Sequence, residues 1–546
     1  MYSKVHLAMP LSVKSTGWFL LLCVSLALVL SAWNLKFNYF IGYDGVCFTL
    51  MGKNIVAGRG ITLNPGEPYA GHGFFYALLI GLTDFVVRDL EFSGHLVSIL
   101  GFALTVIPLF FLVRKIYPGY AAHWVSLLYV TNGFLLAWSH VIMPETIFTF
   151  LVVLLIYLVH EAIQPGDETP LRQGLGVGAV AGLAYLTRPE GLFFYLVSAL
   201  AVLLLSAKPL GLRLRVLLSS LPPFLLFLLP HIYSIYQTSG QLQLSIVATQ
   251  NLILRQMMLS PRPPDEYLEV KKIYYGLTDD KKRLKIEELK EGFDPIRYLV
   301  KDNFALIRPL YRSFAWPFYK INLYLFGGLG FFLIGASWLS TPWEPKRKRS
   351  ELMFLLFLST FLLHLFGIFL PKRYFPYFPV YLIWMGNGIE VLRHWAERTF
   401  VLTLQRAFGV ALGSILFFTL LSAYYLQRNI TQAPLPLENK EMGLWMKRNI
   451  PGIENERVAS RHPSVNFYSG SKILDLPYVD RLQDLLTFLR HQGAPYFVIS
   501  EDLDHPFIDT YGFLLDDKTA LSPGILRRHS VKGNQKMVLF EVLNQS

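Results

Sequence analysis

Long apolar runs, separated by polar turns, follow one another along the chain from Gly17 to Leu426 and then stop. A helix needs about 20 apolar residues to cross the hydrocarbon layer of a bilayer. We predict about eleven transmembrane helices, with approximate bounds 17–35, 94–113, 121–139, 145–161, 174–187, 190–207, 215–236, 322–340, 352–370, 374–392 and 407–427. The pattern therefore predicts a polytopic α-helical membrane protein.

The first apolar run has the general appearance of a signal peptide, because Lys4 and Lys14 precede it. Its apolar part is longer than the roughly 7–15 residues of a signal-peptide core, and no cleavage site of small residues follows. We therefore expect an uncleaved first transmembrane helix.

The short apolar segment Gly73–Val87 decides the predicted topology. If it crosses the membrane, Arg114 and Lys115 fall outside and the later loops alternate wrongly. If it lies in the interface, fifteen basic residues near span ends face the cytoplasm and seven face outside. Basic residues near span ends favour the cytoplasm. We therefore predict an interfacial segment, a cytoplasmic N-terminus and long outside loops over 34–93 and 237–321.

The last 119 residues have a different sequence pattern from the apolar runs before them. Short runs rich in β-branched residues alternate there with polar turns. The runs "ERVAS", "SKILDL", "PYFVIS" and "KMVLFEVL" predict strands, and "DRLQDLLTFLRHQ" predicts an amphipathic helix between them. We predict two domains: a membrane module over 1–427 and an extracytoplasmic α/β domain over 428–546.

Composition agrees with this division. Hydrophobic residues make up 53% of the chain and charged residues 16%, whereas soluble domains carry about 25% charged residues. The net charge of +12 is explained by basic cytoplasmic loops, and without a nucleic-acid-binding motif we expect no nucleic-acid partner. The two cysteines, Cys23 and Cys47, provide neither a disulfide framework nor a metal-ligand spacing.

Ionisable residues recur in the turns that the topology places outside the membrane. Asp44 lies a few residues beyond the first span, and Glu145 lies in the next outside loop. Arg188 follows in "LTRPEG", and Lys372 and Arg373 follow in "PKRYFPYFP". Charged residues at span ends also occur simply because they reach water or lipid headgroups. Their common side nevertheless predicts a shared site at the level of the headgroups.

Such a site suits sugar transfer from a lipid phosphate. A carboxylate can take a proton from an acceptor hydroxyl, and cations can bind a phosphate whose hydrocarbon tail remains in the bilayer. Lys372 and Arg373 would stabilise the charge that grows on the departing phosphate. For Arg188, an ion pair with Glu190 that closes the turn is the alternative to substrate contact.

Four segments of the chain resemble the lipid-dependent glycosyltransferases of the GT-C fold, the group of protein O-mannosyltransferases and lipid A aminoarabinose transferases. These are "YDGVCFTLMGKNIVAGRGI", "VIMPETIFTFLVVLLIYLV", "GLAYLTRPEGLFFYL" and "PKRYFPYFPVYLIW", in family order over roughly the first 430 residues. The resemblance implies that Asp44 is the catalytic base and that Glu145 shapes the donor or acceptor site. His72 stands where many members have a His-Pro-Pro stretch, and Tyr69 is a candidate to stack on a sugar.

We therefore expect a glycosyltransferase that moves a monosaccharide from a polyprenyl-phosphate donor to a glycolipid, a lipopolysaccharide or a protein. The reaction is expected on the outer side of the cytoplasmic membrane, in contact with membrane lipids. Gly45 stands where many members have a second acid, so no metal site is predicted, and a divalent metal stays an open alternative. A transporter or flippase of lipid-linked sugars, and a non-catalytic scaffold, are the other functions considered.

Overall fold

The computed structural model describes residues 13–165, 169–240, 330–340, 342–361, 371–429, 435–477, 481–502, 510–519 and 523–543, and the single residues 242, 244, 245, 479 and 521. Most of the predicted outside loop 237–321 lies outside these residues. The same holds for parts of the predicted spans 322–340 and 352–370.

The regular secondary structure that the structure describes in the first 429 residues is helical. The helices are α1 Val13–Phe37, α2 Tyr43–Val56, α3 Phe75–Val87, α4 Leu90–Ile116, α5 Ala121–Thr131, α6 Gly133–Ser139, α7 Glu145–Ile163, α8 Pro170–Thr187, α9 Gly191–Leu205, α10 Leu210–Ser239, α11 Gly330–Ser340, α12 Pro345–Ser359, the 3-10 helix Pro371–Tyr377, α13 Phe378–Thr399 and α14 Leu404–Asn429.

Several of these helices can cross a membrane. Within the described ranges, five are long and apolar enough by length and composition: Lys14–Phe37, Leu90–Ile116, Glu145–Ile163, Leu210–Thr238 and Leu404–Tyr424. Three shorter apolar helices accompany them, namely Phe75–Val87, Gly191–Leu205 and Gly330–Ser340. The prediction of a multi-pass helical membrane protein is confirmed, whereas the number of eleven spans stays a prediction.

The structure differs from the prediction of one continuous helix over 121–139. Asn132 has extended backbone angles, with φ −68° and ψ 118°, and its side chain accepts a hydrogen bond from the backbone N–H of Leu135. Asparagine is a favoured residue at the start of a helix because its side chain satisfies a free N–H there. Asn132 therefore ends α5 and begins α6.

The first outside loop, predicted over 34–93, contains two helices that cross at glycines. A Cβ atom on Gly52 would lie 2.1 Å from the carbonyl oxygen of Ala77. One on Gly81 would lie 2.2 Å from the carbonyl oxygen of Gly52. The two backbones can meet this closely only because both positions lack a side chain. At 13 residues, α3 is about 20 Å long, shorter than the roughly 30 Å hydrocarbon layer.

Helix α8 packs on α10 through a row of glycines spaced by four residues. Added Cβ atoms at Gly174 and Gly178 would lie 1.9 Å from the hydroxyl of Ser219 and 2.0 Å from the carbonyl oxygen of Ser220. Small residues at this spacing let membrane helices approach closely. The contact fixes the end of α8, where Arg188 begins the next turn.

The C-terminal part contains a five-stranded mixed sheet in the order β2-β1-β3-β5-β4. Its elements are α15 Leu437–Asn449, β1 Arg457–Ser460, α16 Pro463–Ser469, β2 Lys472–Asp475, α17 Leu482–His491, β3 Tyr496–Ser500, β4 Ile525–Lys532 and β5 Lys536–Val542. Strands β2, β1 and β3 are parallel, whereas β5 runs antiparallel to β3 and to β4. The four predicted strands coincide with β1, β2, β3 and β5. The domain boundary at 427/428 stays a prediction.

The sheet rests on the first outside loop through a network of buried polar groups. The Tyr468 hydroxyl donates to the carboxylate of Glu91 at 2.5 Å and accepts from the backbone N–H of Ile41 at 3.3 Å. Lys440 pairs with the same carboxylate at 3.1 Å. These bonds place the sheet on the same side of the molecule as the start of α2.

A second contact extends the sheet itself. The Asn64 side chain donates to the carbonyl oxygen of Ile473 and accepts from its N–H, both at 2.9 Å. Its amide therefore pairs with the outer edge of β2 in the way that a neighbouring strand would. Arg457 and Glu67 form an ion pair at 2.5 Å nearby. The loop and the sheet are thus joined at two separate points.

Candidate active site

The predicted catalytic acid lies at the beginning of a helix. Asp44 is in the first turn of α2, where the unpaired N–H groups of a helix favour negative charge. Its side chain is 36% exposed, and its Oδ1 lies 3.8 Å from Nε2 of His72. The structure thus brings together the two residues that the sequence placed 28 positions apart. The Asp44 carboxylate is therefore partly exposed to water and also faces the ring of His72.

Two aromatic side chains, those of Tyr69 and Phe48, contact the ring of His72. Its Nδ1 hydrogen-bonds the Tyr69 hydroxyl, and its ring lies edge-on to Phe48 at 4.7 Å between centroids. Burial, with the neighbouring Cys47 thiol, raises the pKa of Tyr69 well above its usual value. Tyr69 therefore stays protonated and can donate to Nδ1, which leaves the proton on Nε2, the nitrogen that faces Asp44. This arrangement makes Tyr69 a support for His72.

A second charged group lies at the start of α7. Arg188 contacts Glu145 through Nη1 at 2.6 Å and Glu190 through Nη2 at 2.9 Å. Burial alone would lower the pKa of Arg188, but Glu190 and Glu145 raise it above its usual value. The guanidinium is thus held between two carboxylates. The local pair with Glu190 and a longer-range pair with Glu145 are both present.

Glu145 itself has unused hydrogen-bonding capacity. Its side chain is 2% exposed, and Oε1 receives the bond from Arg188. Among the residues that the structure describes, Oε2 has no hydrogen-bond partner. A buried carboxylate oxygen without a partner is costly. It is therefore a candidate acceptor for a hydroxyl of a bound ligand.

Close backbone contacts put the two groups at the same end of the helices. A Cβ atom on Gly45 would lie 3.2 Å from the carbonyl oxygen of Ile142, three residues before Glu145. One on Gly73 would lie 2.2 Å from the carbonyl oxygen of Leu186, two residues before Arg188. The residues that follow Asp44 and His72 thus touch the turns that carry Glu145 and Arg188.

The third predicted element, the segment Pro371–Tyr377, approaches the second charged group. The Tyr377 phenol is near enough to Arg188 and Glu190 to interact with them electrostatically. Its ring lies 5.8 Å from that of Phe194 in α9. Arg373 is on the same 3-10 helix and is half-buried. The side chain of Lys372 lies outside the described residues, so its role as a phosphate ligand stays a prediction.

The residues of the site do not assemble a metal centre within the described part of the chain. No group of three or more His, Cys, Asp and Glu side chains is placed to hold a metal ion there. Asp44 and His72 are two potential ligands, fewer than the four ligands of a structural zinc site. The described residues therefore do not form a structural metal site.

Sequence reasoning missed two charged residues near Asp44. Asp475 ends β2 and Arg461 directly follows β1, and both act electrostatically on the neighbouring Tyr43. The available signal was their position, because polar residues at the carboxyl ends of parallel strands are often placed to contact ligands. Their proximity to α2 depends on how the sheet docks, which the pattern does not contain.

A family model matches the central part of the membrane module. Residues 71–233 match the model described as dolichyl-phosphate-mannose-protein mannosyltransferase. This range includes His72, Glu145 and Arg188. No curated protein matches this chain significantly.

Solved structures extend the likeness over most of the chain. ArnT from Cupriavidus metallidurans, bound to undecaprenyl phosphate, is 14% identical, with a TM-score of 0.57 over 96% of this chain and 98% of that one. The oligosaccharyltransferase from Archaeoglobus fulgidus in its apo form is 14% identical, with a TM-score of 0.57 over 88% and 69%. At this identity, the structures establish the fold. Together with the family match they confirm the predicted resemblance: the chain has the GT-C fold, and its central part matches a family of membrane glycosyltransferases.

Proposed function

We propose that this glycosyltransferase moves a monosaccharide from a polyprenyl-phosphate carrier to a hydroxyl group of an acceptor. The acceptor is a lipopolysaccharide, another glycolipid or a protein on the outer side of the cytoplasmic membrane. The distribution of basic residues supports this side, since they gather at the ends of the apolar runs opposite Asp44. The sheet, joined to the first outside loop, lies on the same outer side.

The observation that carries the proposal is the pairing of Asp44 with His72 beside the Glu145–Arg188 group. A half-exposed carboxylate can accept a proton from a hydroxyl that approaches from water. His72, positioned by Tyr69, faces Asp44 with Nε2 at 3.8 Å and stabilises its carboxylate electrostatically. A transporter would instead place its charges near the middle of the bilayer.

The reaction then runs as a single displacement. Asp44 takes the proton of the acceptor hydroxyl, and the hydroxyl oxygen attacks the anomeric carbon of the donor sugar. The bond between that carbon and the phosphate oxygen breaks, and the lipid phosphate leaves with the bonding electrons. Arg373 and Lys372 would stabilise this leaving group electrostatically. The resemblance implies inversion at the anomeric carbon.

Replacement of Asp44 by asparagine tests the proposal. The amide keeps the size of the side chain but cannot take the proton, so we expect sugar transfer to fall by about 100-fold or more. Asp84→Asn is the matched control, because Asp84 is a carboxylate near the other end of the same loop. The measurement is the release of labelled sugar from the polyprenyl carrier into acceptor by the purified proteins.

Comparison of glycolipids and exported glycoproteins from cells with and without the gene would identify the acceptor. A missing sugar names the acceptor, and an accumulating carrier names the donor. If Asp44→Asn inserts and folds normally yet transfers sugar at the rate of Asp84→Asn, Asp44 is not the base. If no sugar product changes in the cells, the protein is not a transferase of this type.

A further inference from the structure

The carboxyl ends of two parallel strands approach the start of α2. Ser460, the last residue of β1, is the register partner of Asp475, the last residue of β2. Arg461 follows directly. Because parallel strands end at one edge of a sheet, Arg461 and Asp475 lie at the same edge.

Two contacts fix this edge beside Asp44. The Tyr468 hydroxyl binds the N–H of Ile41, three residues before Asp44. Asn64 holds Ile473, two residues before Asp475. The edge therefore cannot turn away from α2 while both contacts persist.

An aromatic side chain completes the arrangement. Tyr43 immediately precedes Asp44 and is 49% exposed. Partial burial raises its pKa, the neighbouring carboxylate of Asp475 adds to the rise, and the guanidinium of Arg461 opposes it. The carboxylate and the guanidinium thus lie within electrostatic reach of the Tyr43 phenol. Tyr43 in turn directly precedes the proposed base.

Contacts of other residues, Asn64, Tyr468 and Lys440, join the sheet to the loop. Asp475 is exposed at the end of its strand. A carboxylate and a guanidinium offer several planar hydrogen-bonding atoms for hydroxyl groups, and a half-exposed ring offers a flat apolar face. This combination suits a saccharide, which has hydroxyls at its rim and C–H groups on its faces.

The sheet edge itself argues against an extended peptide at this place. A peptide that adds to a sheet needs an edge strand with free N–H and C=O groups. The edge of β2 is occupied at Ile473, because Asn64 uses both its N–H and its carbonyl oxygen. The other edge strand, β4, is at the far end of the sheet.

We infer that Tyr43, Arg461 and Asp475 form an acceptor subsite that binds the saccharide unit carrying the attacked hydroxyl. The inference rests on the proposed function and specifies its acceptor as a glycan. The subsite would place one sugar ring against Tyr43, with its hydroxyls on Arg461 and Asp475. The reacting hydroxyl then faces Asp44.

The test is a binding measurement that needs no turnover. Oligosaccharides are released by mild acid from the glycolipids and wall polymers of the same cells, and a peptide digest of the exported proteins is prepared in parallel. Saturation-transfer difference NMR with the full-length protein in detergent then reports which fraction binds. Asp475→Ala and Arg461→Ala are the test variants. Arg528→Ala is the matched control, because Arg528 is exposed on β4.

We expect the wild-type protein and Arg528→Ala to give equal saccharide signals. Asp475→Ala and Arg461→Ala should each lose about tenfold or more of the binding. Binding by the peptide fraction alone, or unchanged saccharide binding in both test variants, would overturn the subsite. Loss of transfer in Asp44→Asn is read separately, so a failure of the subsite leaves the proposed reaction intact. Conversely, a wild-type protein that binds saccharide without transferring sugar would refute the reaction alone.

If either test variant fails to fold, Asp475→Asn and Arg461→Lys replace it. Each keeps the size of the side chain and alters its charge or its hydrogen-bonding geometry. The same loss of saccharide signal is then expected, while unchanged binding in both conservative variants would refute the subsite.

Discussion

Replacement of Gly52 by alanine tests whether the crossing of α2 and α3 sets the position of the proposed base. Asp44 lies two turns before Gly52 on α2, and His72 lies three residues before the start of α3. A Cβ atom at position 52 would lie 2.1 Å from the carbonyl oxygen of Ala77. Because neither backbone can yield locally, the two helices must move apart.

The size of the effect follows from that distance. A normal carbon–oxygen contact needs about 3.2 Å, so the helices must separate by roughly 1 Å. Overpacking of this kind costs about 1–3 kcal/mol of stability. A displacement of about 1 Å at a reacting group can cost about 100-fold in rate. We therefore expect Gly52→Ala to insert into the membrane but to transfer sugar about 100-fold more slowly.

The matched control is Gly409→Ala, the same substitution within α14. A Cβ atom there meets nothing within 4 Å, so it should raise helix propensity without moving a neighbour. Both variants are purified in detergent, checked for a single monodisperse peak, and assayed for transfer of labelled sugar from the polyprenyl carrier. If well-folded Gly52→Ala keeps activity within twofold of Gly409→Ala, the reasoning from the crossing to the base is refuted.

Three further outcomes are expected. Tyr468→Phe should lower the stability of the docked sheet by about 1–3 kcal/mol, because Glu91 loses a buried hydrogen bond, and this is measured as a lower thermal unfolding midpoint. Burial alone would raise the pKa of Asp502, but hydrogen bonds with His462 and Ser500 lower it below its usual value. The ionised Asp502 therefore stabilises the folded sheet at pH values above its unfolded pKa of about 3.9, and this stabilisation is lost as the pH falls through its folded pKa. Hydrogen exchange of the β3 amides should report the loss. Dialysis against a chelator should leave sugar transfer within about twofold, since the proposed displacement uses Asp44 as its base and Arg373 and Lys372 to stabilise the leaving phosphate.

Each outcome has its own control. Tyr233→Phe changes an exposed tyrosine and should leave the unfolding midpoint unchanged. Asp502→Asn should remove the acid-dependent part of the exchange, whereas Asp484→Asn, in an exposed pair with Arg481, should keep it. If chelation abolishes activity and an added divalent ion restores it, the transfer needs a metal and the prediction is wrong.

Much of the helical part was predictable because apolar length is a strong signal. Runs near 17–35, 145–161 and 407–427 coincide with long helices in the structure. The break at Asn132 was missed because one capping residue within an apolar run changes the hydropathy little. Strand β4 was missed for a related reason: its exposed Arg528 and Ser530 give it the composition of a loop.

The site was predictable in its parts and less so in its contacts. The position of Asp44 after the first span, and of Glu145 after the next outside turn, follows from topology alone. The 2.6 Å contact between Arg188 and Glu145 depends on how α7 and α8 pack. Local spacing predicted only the pair with Glu190. Likewise, we expected Tyr69 to stack on a sugar, whereas in the structure its hydroxyl hydrogen-bonds His72.

The pairing of Asn64 with β2 has a consequence for the isolated C-terminal part. An open edge strand offers free hydrogen-bonding groups that recruit other chains and promote aggregation. In the full chain, the side-chain amide of Asn64 covers that edge at Ile473. Once separated from the membrane helices, the sheet would expose β2 to a second copy of itself. The first loop therefore protects the sheet against self-association as well as carrying Asp44.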